Sequence, residues 1–285
     1  MALSFPLARV FLRGRIIHAS EYKVIIVTGS ATGIGKAIAK RCVEEGARVV
    51  IHDRDREPAE AVVAELGADK AALHVEDLTA DGFAPRLVAT AITAFGRLDA
   101  VVNNAAMVVA ASIHTTDLTF FRRMLEVNTL APFALIQAAL PELRKVRGSV
   151  LNIGSVNAYS GEPNLLPYAV SKGALMTLTR NLGDTLMRED GVRVNQINPG
   201  WVLTENEAQR KRDHGLADDW YKDVPKMYAP AGRILWPEEI AACAAWLLAD
   251  ECGPISGQVF DLEQHPFIGR NPPKDTTTIP TAKET

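Results

Sequence analysis

A tyrosine and a lysine, spaced one helical turn apart, are the residues of this chain best suited to acid–base chemistry. Tyr168 and Lys172 stand four residues apart, and Ser155 precedes Tyr168 by thirteen residues. Residues with a spacing of four lie on one face of a helix, so the Lys172 ammonium can favour the Tyr168 phenolate. The spacing therefore predicts a tyrosine that donates or accepts a proton near neutral pH, which requires its pKa to fall from about 10.

A glycine-rich segment indicates where a phosphate group can bind. Residues 28–35 read Thr-Gly-Ser-Ala-Thr-Gly-Ile-Gly and lie between an aliphatic run and a stretch with helical spacing. A turn at such a junction directs backbone N–H groups and the positive end of the helix dipole toward an anion, and glycines let a pyrophosphate approach. The spacing G-x-x-x-G-x-G departs from the commoner dinucleotide fingerprint. Because glycines also simply end strands, only the strand–helix context makes this turn a predicted dinucleotide site.

Two acidic residues follow aliphatic runs at places where a nucleotide would lie. Asp53 comes after the second run, twenty-four residues after Gly29. A carboxylate there accepts hydrogen bonds from the adenosine ribose hydroxyls and repels a 2′-phosphate, which favours NAD over NADP. Arg54 could instead bind that phosphate, and Asp53 could be a solvated turn residue. Asp77, after the third run, could meet the adenine edge or cap the next helix.

Short aliphatic runs alternate with helical segments along most of the chain. The predicted strands are residues 24–27, 48–51, 71–75, 100–102, 149–153, 193–197 and 257–262. The predicted helices are residues 33–45, 57–66, 83–95, 132–147 and 168–188. Such an alternation predicts a single α/β domain, over residues 23–262, with a doubly wound parallel sheet covered by helices on both faces.

Composition narrows the class of protein. The 285 residues are 47% hydrophobic and 23% charged, which suits a globular chain rather than a disordered or membrane protein. A net charge of -3 and a pI near 6.1 argue against a nucleic-acid partner. The three cysteines, Cys42, Cys243 and Cys252, have no metal-ligand or redox spacing. We expect buried thiols in the reducing cytoplasm, and we see no set of His, Cys and carboxylate residues that predicts a metal site.

Both ends of the sequence differ from the central region. Residues 1–22 contain several arginines and no acidic residue before Glu21. We expect a disordered N-terminal extension there, with a targeting peptide as the alternative. Residues 263–285 contain four prolines and are expected to form a C-terminal tail.

Six motifs, in order and in register, resemble the short-chain dehydrogenase/reductase family. They are residues 28–35, Asn103-Asn104-Ala105-Ala106, Asn128, Gly154-Ser155, Tyr168-Ala169-Val170-Ser171-Lys172 and Asn198-Pro199-Gly200, and the match spans about residues 23–262. The resemblance implies a Rossmann-type fold and transfer of a hydride between a substrate carbon and a nicotinamide cofactor. Two departures are that Ala106 replaces the usual glycine and that the tail after Leu262 is longer and different.

The resemblance also implies roles for individual residues. The catalytic set would be Asn128, Ser155, Tyr168 and Lys172: Ser155 hydrogen-bonds the substrate oxygen, Lys172 also binds the nicotinamide ribose, and Asn128 holds a water of a proton relay. Asn103 and Asn104 would mainly shape the turn after the fourth strand. The residues expected at the cofactor are Gly29, Thr32, Gly33, Ile34, Gly35, Asp53, Asp77, Leu78, Asn104, Tyr168, Lys172, Pro199, Gly200, Val202 and Thr204.

The substrate must be inferred from two variable segments, between Ser155 and Tyr168 and from Glu205 to Tyr228. They are polar and aromatic rather than continuously apolar, which favours a sugar, sugar acid or polyol over a steroid or acyl chain. The alternative is that these side chains face solvent, as loop residues often do. The candidate substrate contacts are Asn157, Asn164, Trp201, Arg210 and Arg270.

Two other functions and more than one assembly are compatible with the same sequence. One alternative is an NADPH-dependent 3-oxoacyl-acyl-carrier-protein reductase, and another is an NAD-binding redox sensor without turnover. The resemblance implies a homotetramer, or a dimer, with helices 132–147 and 168–188 at an interface. The composition predicts no membrane partner. The tail could reach a neighbouring active site, where Arg270 would meet an anionic substrate, or could be a docked or disordered terminus.

Overall fold

Seven strands form one parallel sheet at the centre of the molecule. The computed structural model describes residues 22–159 and 162–266. The strands are β1 Val24–Thr28, β2 Arg48–Asp53, β3 Ala71–Val75, β4 Ala100–Asn103, β5 Ser149–Ile153, β6 Arg193–Pro199 and β7 Val259–Leu262. Their order in the sheet is β3-β2-β1-β4-β5-β6-β7, and every neighbouring pair is parallel.

Helices cover both faces of this sheet. They are α1 Gly33–Glu44, α2 Arg56–Leu66, α3 Phe83–Phe95, α4 Leu118–Leu125, α5 Ala131–Val146, α6 Leu166–Asp190, α7 Glu205–Asp213 and α8 Pro237–Leu248. The predicted doubly wound α/β fold is confirmed, and each predicted strand and helix corresponds to an observed one. Three helices, α4, α7 and α8, were not predicted. No helix in the described part of the chain is long and apolar enough to cross a membrane.

Alternation along the strands divides the core into two layers. In β1, Ile25 and Val27 pack into one buried cluster with α1 and α8, whereas Val24 and Ile26 pack into the other with α3 and α5. All four side chains are at most 1% exposed, as expected for a parallel strand with helices on both faces. Burying one such side chain contributes about 1.5–3 kcal/mol, so the sheet is a rigid support for groups at its edge.

The sequence predictions for the two ends lie largely outside the described residues, namely 1–21 and 267–285. Arg270 is among them. Within the tail, Gln264 lies against the segment that follows α7: its Oε1 accepts a hydrogen bond from Ala231 N at 2.8 Å, and its Nε2 donates to Arg233 O at 2.5 Å.

Candidate active site

The strand order reverses between β1 and β4, and this reversal determines where in the sheet the candidate site lies. From β1 the chain runs outward through β2 and β3, whereas β4 begins the opposite half of the sheet. Doubly wound sheets bind ligands at such a reversal, at the carboxyl ends of the strands. Residues that follow β1, β5 and β6 all lie at this edge because the strands are parallel.

The serine, tyrosine and lysine predicted from spacing come together beyond the end of β5. Tyr168 and Lys172 occupy successive turns of α6 and are 8% and 2% exposed. The Lys172 Nζ donates to the Ile153 carbonyl oxygen at 2.7 Å and lies 5.8 Å from the centre of the Tyr168 ring. Ser155 follows two residues after Ile153, and its Oγ accepts a hydrogen bond from Asn157 N at 3.1 Å.

Burial, rather than the charge of Lys172, has the largest effect on the pKa of Tyr168. Burial raises the pKa of Tyr168, and a hydrogen bond with Ser155 and the positive charge of Arg210 oppose that rise. Burial also lowers the pKa of Lys172 to about 8. The spacing of Tyr168 and Lys172 predicted a lowered pKa for Tyr168. In the protein chain by itself the direction is the opposite, because the cost of removing a phenolate from water outweighs the Ser155 hydrogen bond and the charge of Arg210.

Asn128 lies in a π-helical turn, Glu126–Leu130, between α4 and α5. Its side chain is fully buried. Oδ1 accepts from Met107 N at 2.8 Å, while Nδ2 donates to Met107 O and to Ser171 Oγ, both at 3.0 Å. Single π turns inside helices often occur at functional sites. Here the turn lets one side chain join the loop after β4 to the α6 helix that carries Tyr168.

A polar network centred on the buried Asn198 fixes the backbone of Ser155, and no role for it was predicted. Asn198 Oδ1 accepts from Ser155 N at 3.1 Å and from Gln196 Nε2 at 2.7 Å. Asn198 Nδ2 donates to Asp261 Oδ1 at 3.0 Å, and the Tyr159 hydroxyl donates to the same oxygen at 3.1 Å. Strands β6 and β7 thereby hold both ends of the short segment that contains Ser155.

The glycine turn has the shape of a phosphate cradle. A Cβ on Gly29, which has φ +62, would lie 2.8 Å from Ala105 Cα, and a Cβ on Gly35 would overlap the Gly29 carbonyl oxygen. Asn104, from the loop after β4, donates its Nδ2 to the Thr28 and Gly29 carbonyl oxygens at 2.9 Å each and so holds the glycine turn. Thr32 precedes α1 as its N-cap. The first turn of a helix has no intrahelical acceptors for its N–H groups, so Ile34 and Gly35 present suitable donors to an anion.

The two acidic candidates on the nucleotide side have different surroundings. Asp53 ends β2, and its carboxylate accepts from Ala31 N at 3.3 Å and from Arg54 N at 2.9 Å, so it lies beside the glycine turn. Asp77 does not cap α3, whose N-cap is Gly82. Its Oδ1 instead accepts from Thr79 N at 2.8 Å, and Arg123 donates to the carboxylate at 3.2 Å. The capping interpretation of Asp77 was wrong because the chain makes a separate turn before α3 begins.

Most remaining cofactor candidates lie along the same edge. Pro199 ends β6, and Gly200 N donates to Leu262 O at 2.8 Å. Val202 is buried and pairs with Leu235 in an isolated bridge. Leu78 is buried in the core layer of α3 and α5.

The segment after β6 forms an aromatic cavity of about 500 Å³. Trp201 and Trp220 stack in its wall with ring centres 5.2 Å apart. Tyr228, Asp219, Lys222 and Asp223 also line it. Trp201 is the candidate substrate residue that the structure places at a cavity, whose size lies within the range of about 300–1,000 Å³ usual for ligand pockets.

Helix α7 crosses the site, although sequence reasoning did not predict it. Thr204 caps it, and its first residue, Glu205, accepts a hydrogen bond from Gly33 N at 2.9 Å. Arg210, farther along α7, pairs with Glu207 and exerts its charge on Tyr168. Helix α7 thus connects the glycine turn with the surroundings of Tyr168, and no local sequence pattern predicts these contacts.

The two other described substrate candidates contact protein through their backbone. Asn157 is half-buried and donates its N–H to Ser155, as described above. Asn164 is exposed, and its carbonyl oxygen accepts from Ala111 N at 2.7 Å. No group of three or more His, Cys, Asp or Glu residues in the described ranges is arranged to hold a metal ion.

Comparisons with known proteins agree with this geometry. The model of a protein family described as enoyl-(acyl carrier protein) reductase matches residues 29–263. L-fucose dehydrogenase of Mus musculus is 36% identical over 231 residues, which cover 80% of this chain and 82% of that protein. Glucose 1-dehydrogenase 2 of Bacillus subtilis is 34% identical over 247 residues, covering 85% and 93%. A crystal structure of a glucose/ribitol dehydrogenase from Brucella melitensis superimposes with a TM-score of 0.78 at 28% identity, covering 87% of this chain and 97% of that one.

Proposed function

Since the chain belongs to the short-chain dehydrogenase/reductase family and is therefore an oxidoreductase that acts on CH–OH groups, we propose that it oxidises a secondary alcohol of a sugar, sugar acid or polyol with NAD. One observation carries the proposal. Tyr168 lies buried beside Ser155 and Lys172, at the same sheet edge as a glycine turn that excludes side chains. Such an edge combines a proton-transfer group with an anion cradle.

The residues present fit a nicotinamide dinucleotide, which the family implies. Gly29 and Gly35 leave no room for a Cβ, and the N–H groups of Ile34 and Gly35 are suited to the diphosphate. When bound, the nicotinamide supplies the acceptor for the substrate hydride.

The chain's own side chains handle the oxygen and its proton. The Ser155 and Tyr168 side chains bind the alcohol oxygen, and the phenolate form of Tyr168 accepts its proton. The charge of Arg210 stabilises the phenolate against the effect of burial. Lys172, with a pKa of about 8, is able to exchange protons near neutral pH. Asn128 keeps α6 in place against the loop after β4.

Preference for NAD rests on Asp53. Its carboxylate lies at the end of β2 within hydrogen-bonding distance of the glycine turn. A 2′-phosphate on the adenosine ribose would meet this negative charge, whereas ribose hydroxyls would find an acceptor. Asp53→Ala is expected to raise the ratio of kcat/KM with NADP to that with NAD, and an unchanged ratio would remove Asp53 from cofactor selection.

The sugar-like substrate is supported by two independent observations. Relatives that cover most of this chain are named for oxidation of L-fucose and glucose. The cavity beside Trp201 combines indole faces with the charged side chains of Asp219, Lys222 and Asp223. Aromatic faces pack against the C–H surface of a sugar, while charged groups accept or donate hydrogen bonds to its hydroxyls.

The test is a reduction assay of NAD and NADP with sugars, polyols, hydroxy acids and acyl thioesters. We expect turnover of a sugar-like alcohol, and Tyr168→Phe should reduce it by about a hundredfold to ten-thousandfold while NAD still binds. Tyr22→Phe, at a tyrosine that is 70% exposed, is the matched control. NADPH oxidation with a 3-oxoacyl thioester would favour the acyl-reductase alternative, and tight NAD binding without turnover of any substrate would favour a redox sensor.

We also propose a cytoplasmic homotetramer. Exposed apolar side chains near the start of α5, Leu130 at 57% and Phe133 at 42%, support an interface on that face. Free thiols at Cys42, Cys243 and Cys252 suit a reducing compartment. Sedimentation velocity measures the assembly, and a monomer at micromolar concentration would contradict the tetramer.

A further inference from the structure

The first residue of α7 reaches across the molecule to the glycine turn. Glu205 Oε2 accepts the Gly33 N–H at 2.9 Å, although the two residues are 172 positions apart. Thr204 lies beside this contact, since a Cβ on Gly33 would be 3.1 Å from Thr204 Cγ2. The carboxylate therefore holds one of the N–H groups in the first turn of α1.

Helix α7 has an anchor that does not depend on this contact. Glu207 is buried, and its Oε1 accepts from Trp201 Nε1 at 2.8 Å. The Thr204 hydroxyl oxygen accepts from Glu207 N at 3.1 Å, which caps the helix. The Lys211 ammonium lies 3.7 Å from the Glu207 carboxylate. Because Glu205 itself is exposed, its side chain can leave Gly33 without moving Glu207 or unwinding α7.

We propose that the Glu205 carboxylate competes with the cofactor diphosphate for the N-terminus of α1, so that Glu205 weakens binding of the chain's own cofactor. The inference rests on the function proposed above, which places a diphosphate at this turn. A helix N-terminus attracts either anion through its N–H groups and dipole. Two anions at the same helix N-terminus repel each other, so the diphosphate binds fully only when Glu205 has left Gly33.

Isothermal titration calorimetry on the full chain tests the competition between Glu205 and the diphosphate and requires no turnover. The ligands are NAD, inorganic pyrophosphate and adenosine, and the proteins are the wild type, Glu205→Gln and Asp213→Asn. Asp213 is the control because it lies on the same helix, is exposed, and its carboxylate contacts Gln209 rather than the glycine turn. Both substitutions remove one negative charge from α7.

We expect Glu205→Gln to bind NAD and pyrophosphate about two- to fivefold more tightly than the wild type, as for removal of a competing carboxylate at an exposed helix N-terminus. Adenosine, which has no phosphate, should bind both proteins equally, and Asp213→Asn should behave as the wild type does. The gain should shrink at high ionic strength, because salt screens exposed charges.

Several outcomes would overturn the proposal. Equal or weaker NAD binding by Glu205→Gln would show that the carboxylate does not compete, and weaker binding would mean that it holds the cofactor instead. The same gain for adenosine would show that the effect does not involve the diphosphate, and the same gain in Asp213→Asn would show that it reflects only the overall charge of α7. If none of the three proteins binds NAD saturably, the proposed function itself fails, whereas equal binding by all three removes only the role of Glu205.

Discussion

The buried ammonium of Lys172 provides a test of the site that needs no substrate. Lys172 is 2% exposed, and burial lowers its pKa from 10.5 to about 8. One pKa unit corresponds to about 1.4 kcal/mol, so burial disfavours the charged form by about 3 kcal/mol. A lysine with a lower pKa in the folded chain binds fewer protons there than in the unfolded chain, so stability rises with pH between the two values. The penalty is therefore full below pH 8 and disappears by pH 10.5.

Lys172→Met removes this titration from the protein. We expect the unfolding free energy of the wild type, relative to that of Lys172→Met, to increase by about 3 kcal/mol across that pH interval. The variant also leaves the Ile153 carbonyl oxygen without its donor, which adds an offset of about 1–3 kcal/mol. That offset does not change with pH, so the slope is the diagnostic quantity.

Denaturant unfolding of both proteins at several pH values from about 7 to about 10.5 measures the slope directly. Lys226→Met, at an exposed lysine, is the control and should give a curve nearly parallel to that of the wild type. Parallel curves for the wild type and Lys172→Met would refute the reasoning, because they would mean that the ammonium is as well solvated in the folded chain as in the unfolded one.

Two further substitutions test the glycine turn and the polar network around Asn198. Gly35→Ala places a methyl group against the Gly29 carbonyl oxygen, and such overpacking costs about 1–3 kcal/mol. We expect calorimetry to show a lower Tm and a higher Kd for NAD, and unchanged values would contradict the close approach of Gly35 to Gly29. Asn198→Ala leaves the Ser155 N–H and the Gln196 amide without their acceptor, at a cost of about 1–3 kcal/mol in unfolding free energy. Kinetics of the same variant should show kcat falling more than KM changes, since Ser155 loses its anchor, whereas wild-type kcat in a destabilised protein would limit Asn198 to a purely structural role.

Local sequence determined most of the architecture and the main chemical groups. Short β-branched runs between helical segments were enough to predict all seven strands, because buried parallel strands require apolar residues on both faces. The Tyr168–Lys172 pair and the glycine turn could also be predicted from local sequence, because each depends on neighbours within one helical turn or one loop. Helix α7 was missed because its nine residues, Glu-Asn-Glu-Ala-Gln-Arg-Lys-Arg-Asp, contain no apolar stripe.

Only the tertiary structure decided how the site is held together and how its groups titrate. Asn198 meets Ser155 because β5 and β6 are neighbours in the sheet, and Glu205 meets Gly33 because the chain after β6 crosses to the glycine turn. The direction of the Tyr168 pKa shift also depended on the fold, since burial outweighs the opposing hydrogen bond of Ser155 and charge of Arg210. Contacts between residues far apart in sequence, and the loss of water around a charge, arise from packing, and no local pattern in the chain encodes either of them.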